Sequence, residues 1–109
     1  MNNDNLGIDL EAIRAAREVG RSVVEHTPVT PSAYLSQQFG GKVILKAENL
    51  QRTGAFKIRG AINKLHQLGN SAKNGVVAGS AGNHAQGLAF AARHFGVKSE
   101  ISGIGRRRK

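Results

Sequence analysis

Gly75-Val76-Val77-Ala78-Gly79-Ser80-Ala81-Gly82-Asn83-His84-Ala85-Gln86-Gly87 runs from a short apolar segment, through a turn of small residues, into the start of a helix. The valine-rich residues between Gly75 and Gly79 are strand-like. The helix is predicted to end near Phe95-Gly96, and residues 97–101 begin a further strand. Upstream, Gly54 opens a predicted helix to about Leu68. Its Ile58, Ala61, Ile62, Leu65 and Leu68 recur at helical spacing, and Gly69-Asn70 stops it. Before that, residues 42–48 alternate Val43, Leu45 and Ala47 against Lys42, Lys46 and Glu48, with Ile44 making the second face partly apolar. The order from residue 42 onward is βαβαβ, the pattern of an α/β fold with a parallel sheet and crossover helices.

The region before residue 42 reads differently. Residues 1–8 form a polar arm, and Asp9 is placed to cap a helix through about Val24. Leu10, Ile13, Ala16 and Val24 fall loosely on one face, with Arg14, Arg17, Glu18 and Arg21 outward. Thr27-Pro28-Val29-Thr30-Pro31-Ser32 breaks the helix, because each proline lacks a donor and disfavours helix just before itself. A short helix over 33–38 ends at Gly40-Gly41.

Composition narrows the functional classes. A length of 109 residues suits one small domain, and 39% hydrophobic with 21% charged residues suits a folded chain. Without cysteine there are no disulfides and no thiolate metal sites; no metal site is expected. The first residues lack the layout of a signal peptide, and no apolar run is long enough to span a membrane. A soluble, cytoplasmic protein with no membrane partner is therefore expected. The net charge of +9 raises nucleic-acid binding, but four of the sixteen basic residues are the last four, and removing them leaves +5. No zinc-ligand spacing, stacking aromatic stretch or helix-turn-helix accompanies the charge, so nucleic acid is the least favoured partner.

Two segments carry chemistry. In Gln51-Arg52-Thr53-Gly54-Ala55-Phe56-Lys57-Ile58-Arg59-Gly60-Ala61 a lysine follows a phenylalanine at a helix start. The positive end of the helix dipole and partial burial would both disfavour its charge, favouring an amine that condenses with a carbonyl. On spacing alone, a solvent-facing lysine is the default. In the turn of Ser80, Ala81, Gly82 and Asn83, small residues and free N–H groups can receive an anion such as a carboxylate, at a place where parallel sheets bind ligands. Alternatively, Ser80 or Asn83 simply caps the helix and His84 lines it.

Together these segments resemble the fold-type-II pyridoxal-phosphate enzymes of the threonine dehydratase (threonine ammonia-lyase) and serine dehydratase/racemase group. The resemblance runs from about Thr27 to Ile101. It includes Thr27-Pro28, Leu45-Lys46-Ala47-Glu48-Asn49-Leu50-Gln51, Phe56-Lys57-Ile58-Arg59-Gly60-Ala61 and Ser80-Ala81-Gly82-Asn83-His84-Ala85-Gln86-Gly87. It implies an incomplete tryptophan-synthase-β-like fold, in which an amino-terminal helix precedes the βαβαβ segment. Residues 1–41 would be an amino-terminal arm and helices, 42–101 a partial cofactor-binding α/β domain, and 102–109 a basic tail foreign to the family.

The resemblance implies that Lys57 holds pyridoxal 5'-phosphate covalently and later serves as acid and base. Phe56 would pack beside the cofactor ring, and Asn83 would bond its 3-hydroxyl. Ser80, Gly82, Asn83 and nearby His84 would receive the carboxylate of a small amino-acid substrate. The implied reaction is β-elimination of threonine or serine, giving 2-oxobutanoate or pyruvate plus ammonia, as in isoleucine biosynthesis. Ala81 stands where serine racemase carries a serine that serves as acid and base on the opposite face; alanine has no proton to give, so dehydration is expected rather than racemisation. Ala55 stands where many relatives have serine.

Family members run to about three times this length, beyond one domain's usual size. The resemblance places the phosphate-cradling glycine loop, and a hydroxyl residue facing the pyridine nitrogen, in later segments without a counterpart here. Ser102-Gly103-Ile104-Gly105-Arg106-Arg107-Arg108-Lys109 departs from the family and reads like a shifted or truncated frame. The expectation is a marginally stable, inactive fragment, or at most an interaction module, whereas full-length relatives form homo-oligomers.

Overall fold

The computed structural model describes residues 7–103 and the backbone of 106–108. The arm predicted at residues 1–8 falls largely outside the described residues, as do Ile104, Gly105 and Lys109 of the tail. Helix α1 spans Leu10–Gly20, capped by Asp9, whose carboxylate accepts the Ala12 amide at 2.7 Å. It stops four residues short of the predicted end. The Val23 and Val24 amides turn back onto the Gly20 carbonyl at 2.9 and 3.0 Å, tucking Val23 into the core. Only the later part of the apolar face expected on this helix is covered, at Ala16 and Val24. Leu10 and Ile13 lie in solvent, and the packing against the rest of the chain runs through Val19, Val23 and Val24.

The first two strands revise the expected sheet. Strand β1, Val29–Pro31, pairs antiparallel with β2, Ile44–Lys46, in the register Val29 to Lys46 and Pro31 to Ile44. The proline segment read only as a helix breaker is itself a strand, since proline fixes an extended backbone and tolerates a terminal strand position. Helix α2, Ala33–Phe39, is capped by Ser32, and Gly40 closes it in the left-handed region with φ 66°. The Ser36 hydroxyl accepts the Val43 amide at 2.9 Å, and the Ser32 amide bonds the Val43 carbonyl at 3.0 Å. This tight return brings β2 back onto β1. The element order βαβαβ stands, but its first strand lies in this small ribbon rather than in the parallel sheet.

The core forms around α3, Lys57–Leu68, which buries Ile58, Ala61, Ile62 and Leu65, four of the five positions the spacing selects. It packs on α4, Asn83–Phe95, through Ala85, Leu88, Ala91 and Ala92. Gly96, at φ 69°, ends α4. Strand β3, Val76–Gly79, then pairs in parallel with β4, Ser99–Gly103. Strand β5, Arg106–Arg108, adds antiparallel to β4, so Ser102 and Gly103 of the tail continue β4 and Arg106–Arg108 forms the outer strand of this sheet. Helix α4 covers one face, while Val77 on β3 stays 78% exposed. Among the described residues, no helix is long and apolar enough to cross a membrane.

Ile58 and Ile62 are wholly buried. Ile62→Ala should cost about 3 kcal/mol, part lost transfer energy and part cavity. Urea titration by far-UV circular dichroism checks this, with the midpoint expected to fall sharply or the cooperative transition to disappear.

Candidate active site

The stretch leading to Lys57 is fixed before the lysine is reached. Gln51 is 4% exposed and uses both ends of its side chain. Its carbonyl accepts the amides of Glu25 at 2.8 Å and Arg52 at 2.9 Å, while its NH2 donates to the Glu25 carbonyl at 2.9 Å. Arg52 donates to the Val23 carbonyl at 2.7 Å and pairs with the Glu25 carboxylate at 2.8 Å. Glu48 accepts the hydroxyl of buried Thr27 at 2.5 Å and is paired with the Arg59 guanidinium. Lys46 donates to the Thr27 carbonyl at 3.2 Å. These contacts join the segment after α1, the residues after β2 and the first turn of α3.

Glu48 is correspondingly perturbed. The hydrogen bond from Arg59 dominates, and Thr27, the Arg59 charge and Gln51 add to it against the cost of burial; the carboxyl is held down at about 2. Such a lowered value means that the stabilisation is complete above the ordinary carboxyl range and is lost as pH falls toward about 2.

The turn that follows is strained. Thr53 sits at φ 65°, ψ 7°, an uncommon place for a β-branched side chain, and its buried hydroxyl has no hydrogen-bond partner among the described residues. Gly54 follows at φ 75°, and Phe56 precedes the helix. Helix α3 begins at Lys57, three residues after the start at Gly54 that the sequence predicts, and the lysine Nζ lies 5.4 Å from the centre of the Phe56 ring. That is within cation–π range. The partial burial expected for the lysine is absent: Lys57 is exposed and Phe56 is 59% exposed. Both open onto a groove of about 590 Å³ between α3 and β3, which His84 and Leu88 of α4 also line. One wall, including Val77, has no cover among the described residues.

The second segment forms the head of α4. The Ser80 amide extends the sheet ladder to the Ser102 carbonyl at 2.9 Å, and the Ser80 hydroxyl accepts the Gly82 amide at 3.2 Å. Neither Ser80 nor Asn83 caps the helix. Gly82 occupies the cap position without a side-chain bond, and Asn83 is already the first helical residue. Among the described residues, no acceptor meets the amides of Asn83, His84 and Ala85. A side chain at Gly82 would meet nothing within 4 Å, so the turn is open. Phe56, Lys57 and His84 thus share the groove, whereas Ser80, Gly82 and Asn83 form the turn at the head of α4 and do not line it.

An amine at one helix start, an aromatic ring beside it and an open turn at a second helix start thus lie on two packed helices. Residues 21–102 match the family described as pyridoxal-phosphate dependent enzyme, and the chain belongs to it. It is 52% identical to the L-threonine ammonia-lyase of Thermotoga maritima over 95 residues, 86% of this chain and 24% of that protein. The structure of maize serine racemase superposes with a TM-score of 0.80 at 37% identity, covering 90% of this chain and 31% of that one. The structure of a threonine deaminase from T.th. gives a TM-score of 0.72 at 42% identity, over 84% of this chain and 33% of that one. The chain spans about a quarter of the length of the curated relatives it matches. The fold is the partial fold-type-II, tryptophan-synthase-β-like architecture that the resemblance implies.

Glu48→Gln should remove the charge-assisted pairing and cost about 2 kcal/mol at neutral pH. Urea midpoints across acid pH provide the check. The wild-type midpoint should decline from about pH 4.5 toward about pH 2, and the variant should begin lower and lose that part of the decline.

Proposed function

We propose that this chain carries the cofactor-holding lysine and the carboxylate-receiving turn of a pyridoxal-phosphate dependent lyase. The reaction removes the β-hydroxyl and the amino group of L-threonine or L-serine. The observation that carries this reading is Lys57 itself, an amine at the first position of α3, beside the Phe56 ring and facing a groove shared with His84. Three features fit such a cofactor. The amine is accessible to an aldehyde, the amides heading α4 lack acceptors among the described residues, and the Phe56 ring lies beside the amine in the same groove. In this reading Phe56 packs beside the ring, Asn83 bonds its 3-hydroxyl, and Ser80, Gly82, Asn83 and His84 receive the substrate carboxylate. When bound, the cofactor supplies an electron sink for the carbanion at the substrate Cα.

The chain's own residues supply proton transfer and orientation. Lys57 takes the Cα proton; the electron pair left behind forms the Cα–Cβ double bond as the Cβ–O bond breaks, and the hydroxyl leaves as water with the proton that Lys57 gives back. The enamine released tautomerises and is hydrolysed, consuming one water and giving 2-oxobutanoate or pyruvate with ammonia. Ala81 favours elimination over racemisation, because it offers no second proton donor on the face opposite Lys57. Exposed Val77 and Phe56 favour a site completed by further protein, in keeping with relatives about four times as long. Such a lyase belongs to soluble amino-acid metabolism, biosynthetic or catabolic, and works in the cytoplasm.

The experiment adds pyridoxal phosphate, reduces with borohydride and maps the label by peptide mass spectrometry. Lys57 is expected to carry most of it, and Lys57→Ala to lose that share without change in the circular dichroism spectrum. A label spread evenly over the lysines would remove Lys57 from the assigned role.

A further inference from the structure

Gly87 is buried in the body of α4, where glycine costs about 1 kcal/mol relative to alanine. Its backbone is helical, so no special conformation calls for glycine there. What does call for it is distance. A Cβ at residue 87 would lie 3.1 Å from the Lys57 carbonyl carbon, 3.3 Å from the Lys57 oxygen and 3.1 Å from the Ile58 nitrogen. All three are backbone atoms in the first turn of α3, so none can swing aside as a side chain would. The body of α4 therefore rests directly on the peptide that carries the candidate nucleophile.

We propose that Gly87 is a positioning residue that sets the distance between Lys57 and the Ser80–Asn83 turn by letting the backbones of α3 and α4 touch. The inference rests on the reading of Lys57 as the cofactor-holding amine for its functional consequence, but not for its geometry. Asn83 lies one turn before Gly87 on the same face of α4, so the contact is about 6 Å along the helix from the head of the turn. Both groups are thus referred to one point of contact. An added methyl must push α3 and α4 apart at that point, since α3 is held from its other side by the Glu48–Arg59 pair and by α1. The lysine then moves relative to the turn while the hydrophobic face of α3 stays covered.

The test compares wild type, Gly87→Ala and a control, Gly20→Ala, on the full chain. At Gly20 an added Cβ meets only Val24 methyls at 3.8 and 3.9 Å, an ordinary contact, and Gly20 does not line the groove. In wild type, a nuclear Overhauser contact between the Gly87 α-protons and the Ile58 amide is expected. Its absence overturns the proposal without recourse to any variant, even one that fails to fold. In Gly87→Ala, the amide resonances of Lys57, Ile58 and Asn83 should shift while those of Gly20→Ala stay at wild-type positions. Borohydride-fixed pyridoxal phosphate on Lys57 should fall at least about tenfold, as small misplacements do to reacting groups. Unmoved Lys57 and Ile58 resonances, or unchanged labelling of Lys57, would overturn it. If wild type itself shows no preference for Lys57, the cofactor reading fails, and the resonance shifts decide the positioning role alone.

Discussion

One face of α3 holds the described chain together. Ile58, Ala61, Ile62 and Leu65 bury themselves against α4, and α1 closes on the other side through Val23 and its neighbours. Covering each of its large apolar side chains stabilises by about 2 kcal/mol, whereas a single hydrogen bond in the stretch before it contributes about 1 kcal/mol net. The hydrophobic face therefore decides that α3 is a helix and where it lies. It does not decide where α3 begins. That is set by the Glu48–Arg59 pair and the Gln51 bonds, which fix the chain on both sides of the strained Thr53-Gly54 turn. An amine at the first helical position depends on both, because a slip of one residue would rotate Lys57 by about 100° around the helix.

The parts legible in the sequence are those with local causes. The spacing of Ile58, Ala61, Ile62 and Leu65 marks the buried face of α3, and Asp9, Gly40 and Gly96 mark caps by residue type. The parts that are not legible depend on partners distant in sequence. Strand β2 opens a βαβαβ order that predicts a parallel sheet, yet it pairs with β1 because a short helix and Gly40 return the chain there first. Leu10 and Ile13 look like a core face, yet α1 ends early and packs through later residues. Nothing in composition announces that Glu48 meets Arg59 eleven residues on, or that Gln51 meets Glu25 twenty-six residues back.

The candidate site divides along the same line. Lys57, Phe56 and His84 reach one groove because α3 and α4 pack side by side, and the helix signals tell only that the lysine and the histidine stand near two helix starts. The apolar residues around the lysine suggest burial, and the suggestion fails because the far wall of the groove is open. Periodicity tells which face of an element is apolar, but not what covers it. A neighbour that belongs to another segment leaves no trace in the local pattern.

The motifs that identify the family are therefore of two physical kinds. Lys57, Phe56 and the turn of Ser80, Gly82 and Asn83 present reactive or receptive groups. Glu48 and Gln51 present nothing to a ligand, since their polar atoms are taken up by one another and by Arg59, Thr27, Glu25 and Arg52. Gly87 presents nothing at all and gives only room. A pattern this long could not follow from the chemistry of one amine, which needs a lysine and little else. It follows from a backbone that turns sharply at Thr53-Gly54, enters α3 in a fixed phase and touches its neighbour at Gly87.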